Sequence, residues 1–108
     1  MDNLRLEKLL TFYTEDPDAF TIYALAIEYK NMGDARAEYY FDELIAKYPE
    51  YVAGYYHAAG WKWQIGKKDE ALDIYTKGIE MARIYKDHHA LAELTNARKN
   101  KELGCDDE

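Results

Sequence analysis

Hydrophobic residues recur along most of this chain at the three- and four-residue spacing of amphipathic α-helices. The first such segment places Leu6, Leu9, Leu10 and Tyr13 on one helical face. Glycine or proline follows most of the segments, at points where a helix is expected to stop. The pattern predicts an all-α chain without strands, with six helices over residues 3–13, 17–32, 35–48, 50–65, 68–85 and 87–103.

Local signals set the predicted helix ends. Asp2 is expected to cap the first helix, and Asp16 to cap the second with Pro17 in its first turn, where a missing N–H costs nothing. Pro49 ends the third helix. Three other helices are expected to end at glycines: Gly33, Gly66 and Gly104. The turns between helices are so short that neighbouring helices should form antiparallel pairs.

Two segments repeat the same residue pattern 34 positions apart. Ala37-x-x-x-Phe41 recurs as Ala71-x-x-x-Tyr75. Upstream, Ile22-x-x-Leu25-Ala26-x-x-Tyr29 recurs as Tyr56-x-x-Ala59-Gly60-x-x-Trp63. Small residues in this pattern would let paired helix backbones approach closely, and we expect this of Ala26, Ala37, Gly60 and Ala71. The aromatic residues would fill the space between the paired helices.

In its period and residue types this pattern resembles the tetratricopeptide repeat, and Pro49 stands where that family usually places its proline. The resemblance covers about residues 19–85. It implies a right-handed superhelix of antiparallel helix hairpins, within a single domain of residues 1–108. Repeat 1 would span residues 19–49 and repeat 2 residues 50–85, followed by a capping helix at 87–103 and an acidic tail at 104–108. The first helix would cover the other end.

The last helix has an apolar side and a charged side, as a capping helix requires. Its pattern is Ala90, Leu91, Leu94, Ala97, Arg98 and Lys101. Arg83 stands in the second unit where Pro49 stood in the first, so the fifth helix can continue further. We expect Leu91 and Leu94 to be buried against the fourth and fifth helices.

The fourth helix has two possible registers, because Gly66 follows Gly33 by 33 residues and not by 34. The 34-residue offset buries Tyr56, Ala59, Gly60 and Trp63. A register anchored on Gly66 buries Tyr55, Ala58, Ala59 and Lys62. A lysine at an interlocking position is costly to bury, so we prefer the first register.

Members of the family bind peptides or helices of other proteins in a concave groove, which is lined by the first helix of each pair. The resemblance implies a groove here, formed in the second helix by Phe20, Tyr23, Ile27 and Lys30. In the fourth helix the preferred register adds Gly54, His57, Trp61 and Gln64. Tyr23 and Ile27 occupy points where relatives that bind acidic chaperone tails carry Lys and Asn, so that ligand is not expected.

Charge and cysteine content argue against several classes of protein. The chain has 14 Lys and Arg against 21 Asp and Glu, a net charge of −7, which disfavours nucleic-acid binding. A single cysteine, Cys105, excludes an intramolecular disulfide. The N-terminus lacks the apolar run of a signal peptide, and no apolar stretch approaches the roughly 18 residues of a membrane span. We expect a cytoplasmic protein that contacts no membrane and, as a short free-standing chain, a bacterial one.

Patterns for catalysis or metal binding are weak. The chain has no serine and no Gly-x-Gly, and Cys105 lies beside acids that would raise the pKa of a thiol. His88 and His89 are adjacent, so on a helix they diverge by about 100° and chelate poorly. We expect no catalytic residues, no cofactor and no metal.

Three interpretations of function remain at this point. The leading one is an adaptor that binds a peptide or helix of another protein in the groove. The alternative is a structural protein that self-associates as a homodimer, because Tyr-rich surfaces could pair isologously. A small enzyme is a remote third.

Overall fold

The computed structural model describes residues 3–104, so Asp2 and Cys105 lie outside the described residues. It confirms the all-α fold, with six helices and no strand among these residues. The helices are α1 (Leu4–Glu15), α2 (Ala19–Asn31), α3 (Arg36–Lys47), α4 (Ala53–Gln64), α5 (Lys68–Ile84) and α6 (His88–Glu102). Within the described part of the chain, no helix is long and apolar enough to cross a membrane. Contacts divide the chain into two compact units, Met1–Pro49 and Glu50–Glu108.

The first two helices begin at caps other than the predicted ones. Asn3 caps α1, since its side-chain oxygen accepts a hydrogen bond from the Leu6 N–H at 3.0 Å. Asp18, and not Asp16, caps α2: its carboxylate accepts from the Thr21 N–H at 2.8 Å, which lowers the pKa of Asp18. The expectation for Asp16 was wrong because that residue is still engaged with α1, where its N–H donates to the Phe12 carbonyl.

The predicted start of α4 was three residues early. Pro49 to Val52 form turns, in which the Gly54 N–H donates to the Tyr51 carbonyl at 3.1 Å. The helix begins at Ala53 without a side-chain cap. The segment contains no Ser, Thr, Asp or Asn that could have started the helix earlier.

In the first unit, α2 and α3 pack against each other through small and large apolar residues. The buried residues on α2 include Ile22, Leu25, Ala26 and Tyr29, and those on α3 are Ala37, Phe41 and Leu44. Apart from Leu44, these are the core positions that the repeat pattern predicts for the first helix pair. Helix α1 packs on α2 and buries Leu9.

Polar contacts also tie α1 to this helix pair. Arg5 and Asn3 both donate to the Glu28 carboxylate of α2, at 3.1 and 3.0 Å. The Tyr13 hydroxyl donates to the Glu43 carboxylate of α3 at 2.9 Å. Burial, and next the hydrogen bond to Glu43, raise the pKa of the Tyr13 phenol. The helix is therefore anchored at both ends.

The same cap ends α2, α4 and α5. In each, the N–H of the first residue past the helix cap donates to the backbone carbonyl three residues earlier. The next N–H donates to the carbonyl five residues earlier, and the two bonds together form the Schellman motif. The left-handed residue that this motif requires is Gly33 at φ 67° and Gly66 at φ 89°. After α5 it is Lys86 at φ 56°, the only non-glycine residue with positive φ among those described.

The cap of α4 agrees with the register anchored on Gly66, and our preferred register was wrong. All four residues of the Gly66 register are buried, namely Tyr55, Ala58, Ala59 and Lys62, whereas Tyr56 is exposed and Gly60 and Trp63 are only partly buried. The backbone carbonyl of Tyr29 accepts the five-residue cap bond of α2 from the Asp34 N–H. In α4, the backbone carbonyl of Lys62 accepts the same bond from the Lys67 N–H. In α2 and in α4, the core positions therefore lie at the same distances before the terminal glycine. The extra residue that restores the 34-residue period lies in the turn after Gly66.

Lys62 can be buried because its ammonium group is paired with the carboxylate of Glu70. Its ammonium nitrogen lies 2.9 Å from an oxygen of Glu70, at the start of α5, and the Glu70 side chain is 57% exposed. The aliphatic stem of Lys62 can therefore lie in the core while the charge is paired at the edge.

The second unit is built around Gly78 of α5. A Cβ at this position would lie 2.6 Å from Tyr55 Cβ of α4 and 3.1 Å from Leu94 Cδ1 of α6. Helix α6 therefore packs on both α4 and α5, as the capping-helix prediction requires, and Leu94 is buried as predicted. Leu91 is only partly buried, so that part of the prediction was wrong. Gly60, where we expected a close approach, meets nothing within 4 Å.

We predict opposite effects of the same substitution at the two glycines. Gly78→Ala should destabilise the fold by about 1–3 kcal/mol, since its methyl group would overlap Tyr55 and displace Leu94. Gly60→Ala should be neutral or stabilise by up to about 1 kcal/mol, because alanine favours the helix and the site is open. Urea unfolding followed by far-UV circular dichroism measures both. Equal effects of the two changes would contradict the packing described for Gly78.

Replacement of the strained cap residue is predicted to stabilise the chain. Lys86→Gly should raise the free energy of unfolding by about 0.5–1 kcal/mol, because glycine adopts the left-handed conformation without steric cost. The control is Gly33→Ala, which should destabilise by a similar amount at an equivalent cap. Thermal melts of the two variants and the parent chain test this. A lower melting temperature for Lys86→Gly is the contrary result.

Candidate functional site

One side of α2 remains partly open after the first unit has packed. The α2 face, as we name it, consists of Phe20, Tyr23, Ile27 and Lys30. Phe20 is 62% exposed, and the other three are partly buried. Because Ile22, Leu25, Ala26 and Tyr29 point into the core, the helical period turns the α2 face away from it. The structure thus places the four predicted α2 residues on one side of one helix.

The C-terminal end of α2 is held by a charged contact. The Arg36 side chain donates to both carboxylate oxygens of Asp34, at 3.0 and 2.7 Å, and its carbon Cζ lies 4.7 Å from the centre of the Tyr29 ring. The Arg36 side chain and N–H together lower the pKa of Asp34 to about 2. Asp34 therefore stays ionised near neutral pH. Neither Arg36 nor Asp34 belongs to the α2 face, in which Lys30 is the one charged residue.

The predicted α4 residues do not stay together. Trp61 is only 5% exposed, and Gly54 is also buried. His57 is partly buried and Gln64 is exposed, so these two remain on the accessible side of the helix. The change of register explains the outcome, because a shift by one residue rotates every side chain by about 100°.

Trp61 also carries an unpaired polar atom. Its indole nitrogen is buried and has no hydrogen-bond partner among the described residues. Leaving a buried donor unpaired costs about 1–3 kcal/mol. Trp61 therefore belongs to the interior, and its truncation would test stability rather than binding.

The observed register brings other residues to the accessible side of α4. The positions equivalent to the α2 face are Ala53, Tyr56, Gly60 and Trp63, and we name these the α4 face. Tyr56 is 37% exposed, and its ring contacts His57 edge-on at 5.4 Å. The sequence contained a signal for these four positions, because Gly66 follows Gly33 by 33 residues and the same offset relates the α4 face to the α2 face.

Lysines surround the Trp63 ring at the end of the α4 face. The ammonium groups of Lys68 and Lys101 lie 4.9 and 5.6 Å from its centre, within the range of a cation–π interaction. Lys101 is buried, although it belongs to the charged end of α6. The indole ring thus helps to join α4 to α5 and α6.

The described residues offer little chemistry beyond binding. No group of three or more His, Cys, Asp or Glu within residues 3–104 could hold a metal ion. His88 and His89 lie exposed at the start of α6, where Asp87 caps the helix by accepting from the Ala90 N–H at 3.0 Å. The expectation for Cys105 falls outside the described residues.

The solved structures similar to this chain include two of a tetratricopeptide repeat domain protein from Salinibacter ruber. A crystal structure is 38% identical with a TM-score of 0.75, and covers 79% of this chain and 96% of its own. A solution NMR structure is 38% identical with a TM-score of 0.74, and covers 84% of this chain and 92% of its own. No family model and no curated protein matches the sequence.

The likeness is therefore one of sequence as well as fold, and it extends over nearly the whole of the related domain. It agrees with the repeated helix pairs and glycine caps of the structure. This chain belongs to the tetratricopeptide repeat family of protein-interaction modules.

Proposed function

We propose that this protein is an adaptor that binds a helix or peptide of a partner protein, and that the α2 face provides a principal contact. The observation that carries the proposal is the accessible apolar side of α2, with Phe20, Tyr23 and Ile27 beside one lysine. Aromatic residues are enriched among binding hot spots because they bury a large area for a small loss of side-chain entropy. A partner segment with apolar or aromatic side chains would suit this surface.

The α4 face is proposed as a further contact for a protein partner. Tyr56 and Trp63 supply aromatic area there, and His57 and Gln64 supply polar groups at its border. Trp61 is left out of the proposed surface because it is buried. No catalytic step is part of this proposal, and the similar tetratricopeptide repeat domains favour a scaffold over an enzyme.

We predict that loss of one exposed phenylalanine on the α2 face weakens partner capture. Tagged protein is incubated with native lysate, and captured proteins are quantified by mass spectrometry for the parent, Phe20→Ala and Phe12→Ala. Phe12 is a matched control on α1, since it is 53% exposed but lies outside both faces. Capture should fall about tenfold for Phe20→Ala, corresponding to about 1.4 kcal/mol, and stay unchanged for Phe12→Ala.

Two further measurements complete this test. Circular dichroism should show the same helical content for both variants, so that a change in capture reports binding. Equal loss with the two variants, or no loss with Phe20→Ala, would rule out the α2 face. If the captured protein is a second copy of this chain, light scattering across a concentration series will show a dimer, and the homodimer alternative replaces the adaptor.

A further inference from the structure

Small and aromatic residues alternate along the α4 face, in the order Ala53, Tyr56, Gly60 and Trp63. A Cβ added at Gly60 would meet nothing within 4 Å, so the position between the two aromatic residues is open. Ala53 is exposed, and its side chain is a single methyl group. The α4 face therefore has two notches, one at Ala53 and one at Gly60.

The distance between these notches suits a helix better than an extended peptide. Ala53 and Gly60 are seven residues apart, which is about 10.5 Å along the axis of α4. Residues seven apart on a second helix recur at the same interval, so a helix lying along α4 can place a large side chain in each notch. On an extended peptide the side chains of one side recur about every 6.8 Å, so they match only one notch at a time.

A positive charge lies at the Trp63 end of the α4 face. Lys68, at the start of α5, is exposed, and its ammonium group lies 4.9 Å from the centre of the Trp63 ring. Within the described part of the chain Lys68 has no carboxylate partner. The two acids that follow it are Asp69 and Glu70, and Glu70 is paired with Lys62.

Basic residues outnumber acidic ones at this end of α4. Residues 62–70 contain three lysines and two acids, and the ammonium group of Lys101 lies 5.6 Å from the centre of the same Trp63 ring. This end of the face is therefore positive, although the chain as a whole carries −7. Because Lys68 is exposed, a carboxylate of a bound partner can reach its ammonium group.

We propose that the α4 face binds an amphipathic helix of a partner protein that lies antiparallel to α4. Its large aliphatic side chains fill the notches at Ala53 and Gly60, and a carboxylate in its first turn pairs with Lys68. An antiparallel helix begins at the Trp63 end of α4, and the positive end of its own dipole favours an acid in that first turn. The contact rests on the proposed adaptor function of the α4 face and specifies the segment that binds there.

The probes are synthetic peptides, added to the full chain in NMR titrations. The first is a helix of about 18 residues of alanine and glutamine, long enough to be helical in water. It carries two leucines seven residues apart and a glutamate four residues before the first leucine. The second peptide has glutamine in place of the glutamate. The third keeps the glutamate but has proline midway between the leucines, which breaks the helix.

The first peptide should shift the backbone amides of residues 53–63 and of Lys68. It should bind about threefold more tightly than the glutamine peptide, as expected for one exposed ion pair. It should bind at least about tenfold more tightly than the proline peptide, which cannot fill both notches without a continuous helix.

Two variants locate the contact, and each has a matched control. Gly60→Gln fills the open notch with a polar side chain and should weaken the first peptide about tenfold. Ala92→Gln adds the same side chain at an exposed position of α6 outside both faces, and should leave binding unchanged. Lys68→Gln should weaken the first peptide about threefold and not the glutamine peptide. Lys77→Gln, at an exposed position of α5, should affect neither.

Circular dichroism melts show which variants are folded, and Lys68→Gln serves alone if Gly60→Gln is not. Binding of none of the peptides, amide shifts confined to other helices, or full binding to folded Gly60→Gln would exclude a helix site on the α4 face. Equal binding of the helical and proline peptides would overturn the helical partner. Equal losses with Lys68→Gln and Lys77→Gln would indicate general electrostatic attraction and overturn the carboxylate contact. Partner capture with Phe20→Ala tests the α2 face separately, so failure of the adaptor proposal there is distinguishable from failure here.

Discussion

The contact that Gly78 permits is the constraint on which the second unit depends. Because this residue has no side chain, the backbone of α5 approaches the Tyr55 side chain more closely than a Cβ would allow, and it also lies tightly against Leu94. One position therefore seats α4 and α6 on the same helix. The α4 face lies on the accessible side of α4 in this three-helix arrangement, so its position depends on the close packing at Gly78.

The ion pair of Lys62 and Glu70 solves a different problem, the burial of a charge at a core position. A fully enclosed pair would suffer a large desolvation penalty, but Glu70 remains mostly in solvent and draws the ammonium group to the edge. The equivalent position in the first helix pair is Tyr29, whose ring is covered by Arg36. The two units thus place a tyrosine and a lysine at the same point of the repeat, each completed by a charged neighbour.

The surfaces that remain differ in chemistry, although they come from one acidic chain. The α2 face carries Phe20, Tyr23 and Ile27 with a single lysine, whereas the α4 face combines Tyr56 and Trp63 with the small residues Ala53 and Gly60. A net charge of −7 favours association with partners of positive charge over the molecule as a whole. Recognition of a particular partner segment depends instead on the side chains that each surface presents.

The sequence by itself determined the helices and most of the core. Apolar spacing predicted six helices, and the repeat pattern predicted the packing of Ile22, Leu25, Ala26 and Tyr29, because both depend on local periodicity. The burial of Leu94 was predicted from the same helical periodicity. The four α2 residues of the candidate site were taken from the family resemblance together with this periodicity, and their role in binding stays a prediction.

Only the tertiary structure decided the register of α4. The repeat offset and the terminal glycine gave answers one residue apart, and the choice depended on whether Lys62 could find a partner in the next helix. The burial of Trp61 and the close approach of Gly78 to Tyr55 likewise depend on residues distant in sequence. Periodicity predicts which side of a single helix is apolar. Whether a charged residue or a glycine is tolerated at a buried position depends instead on the helix that packs against it.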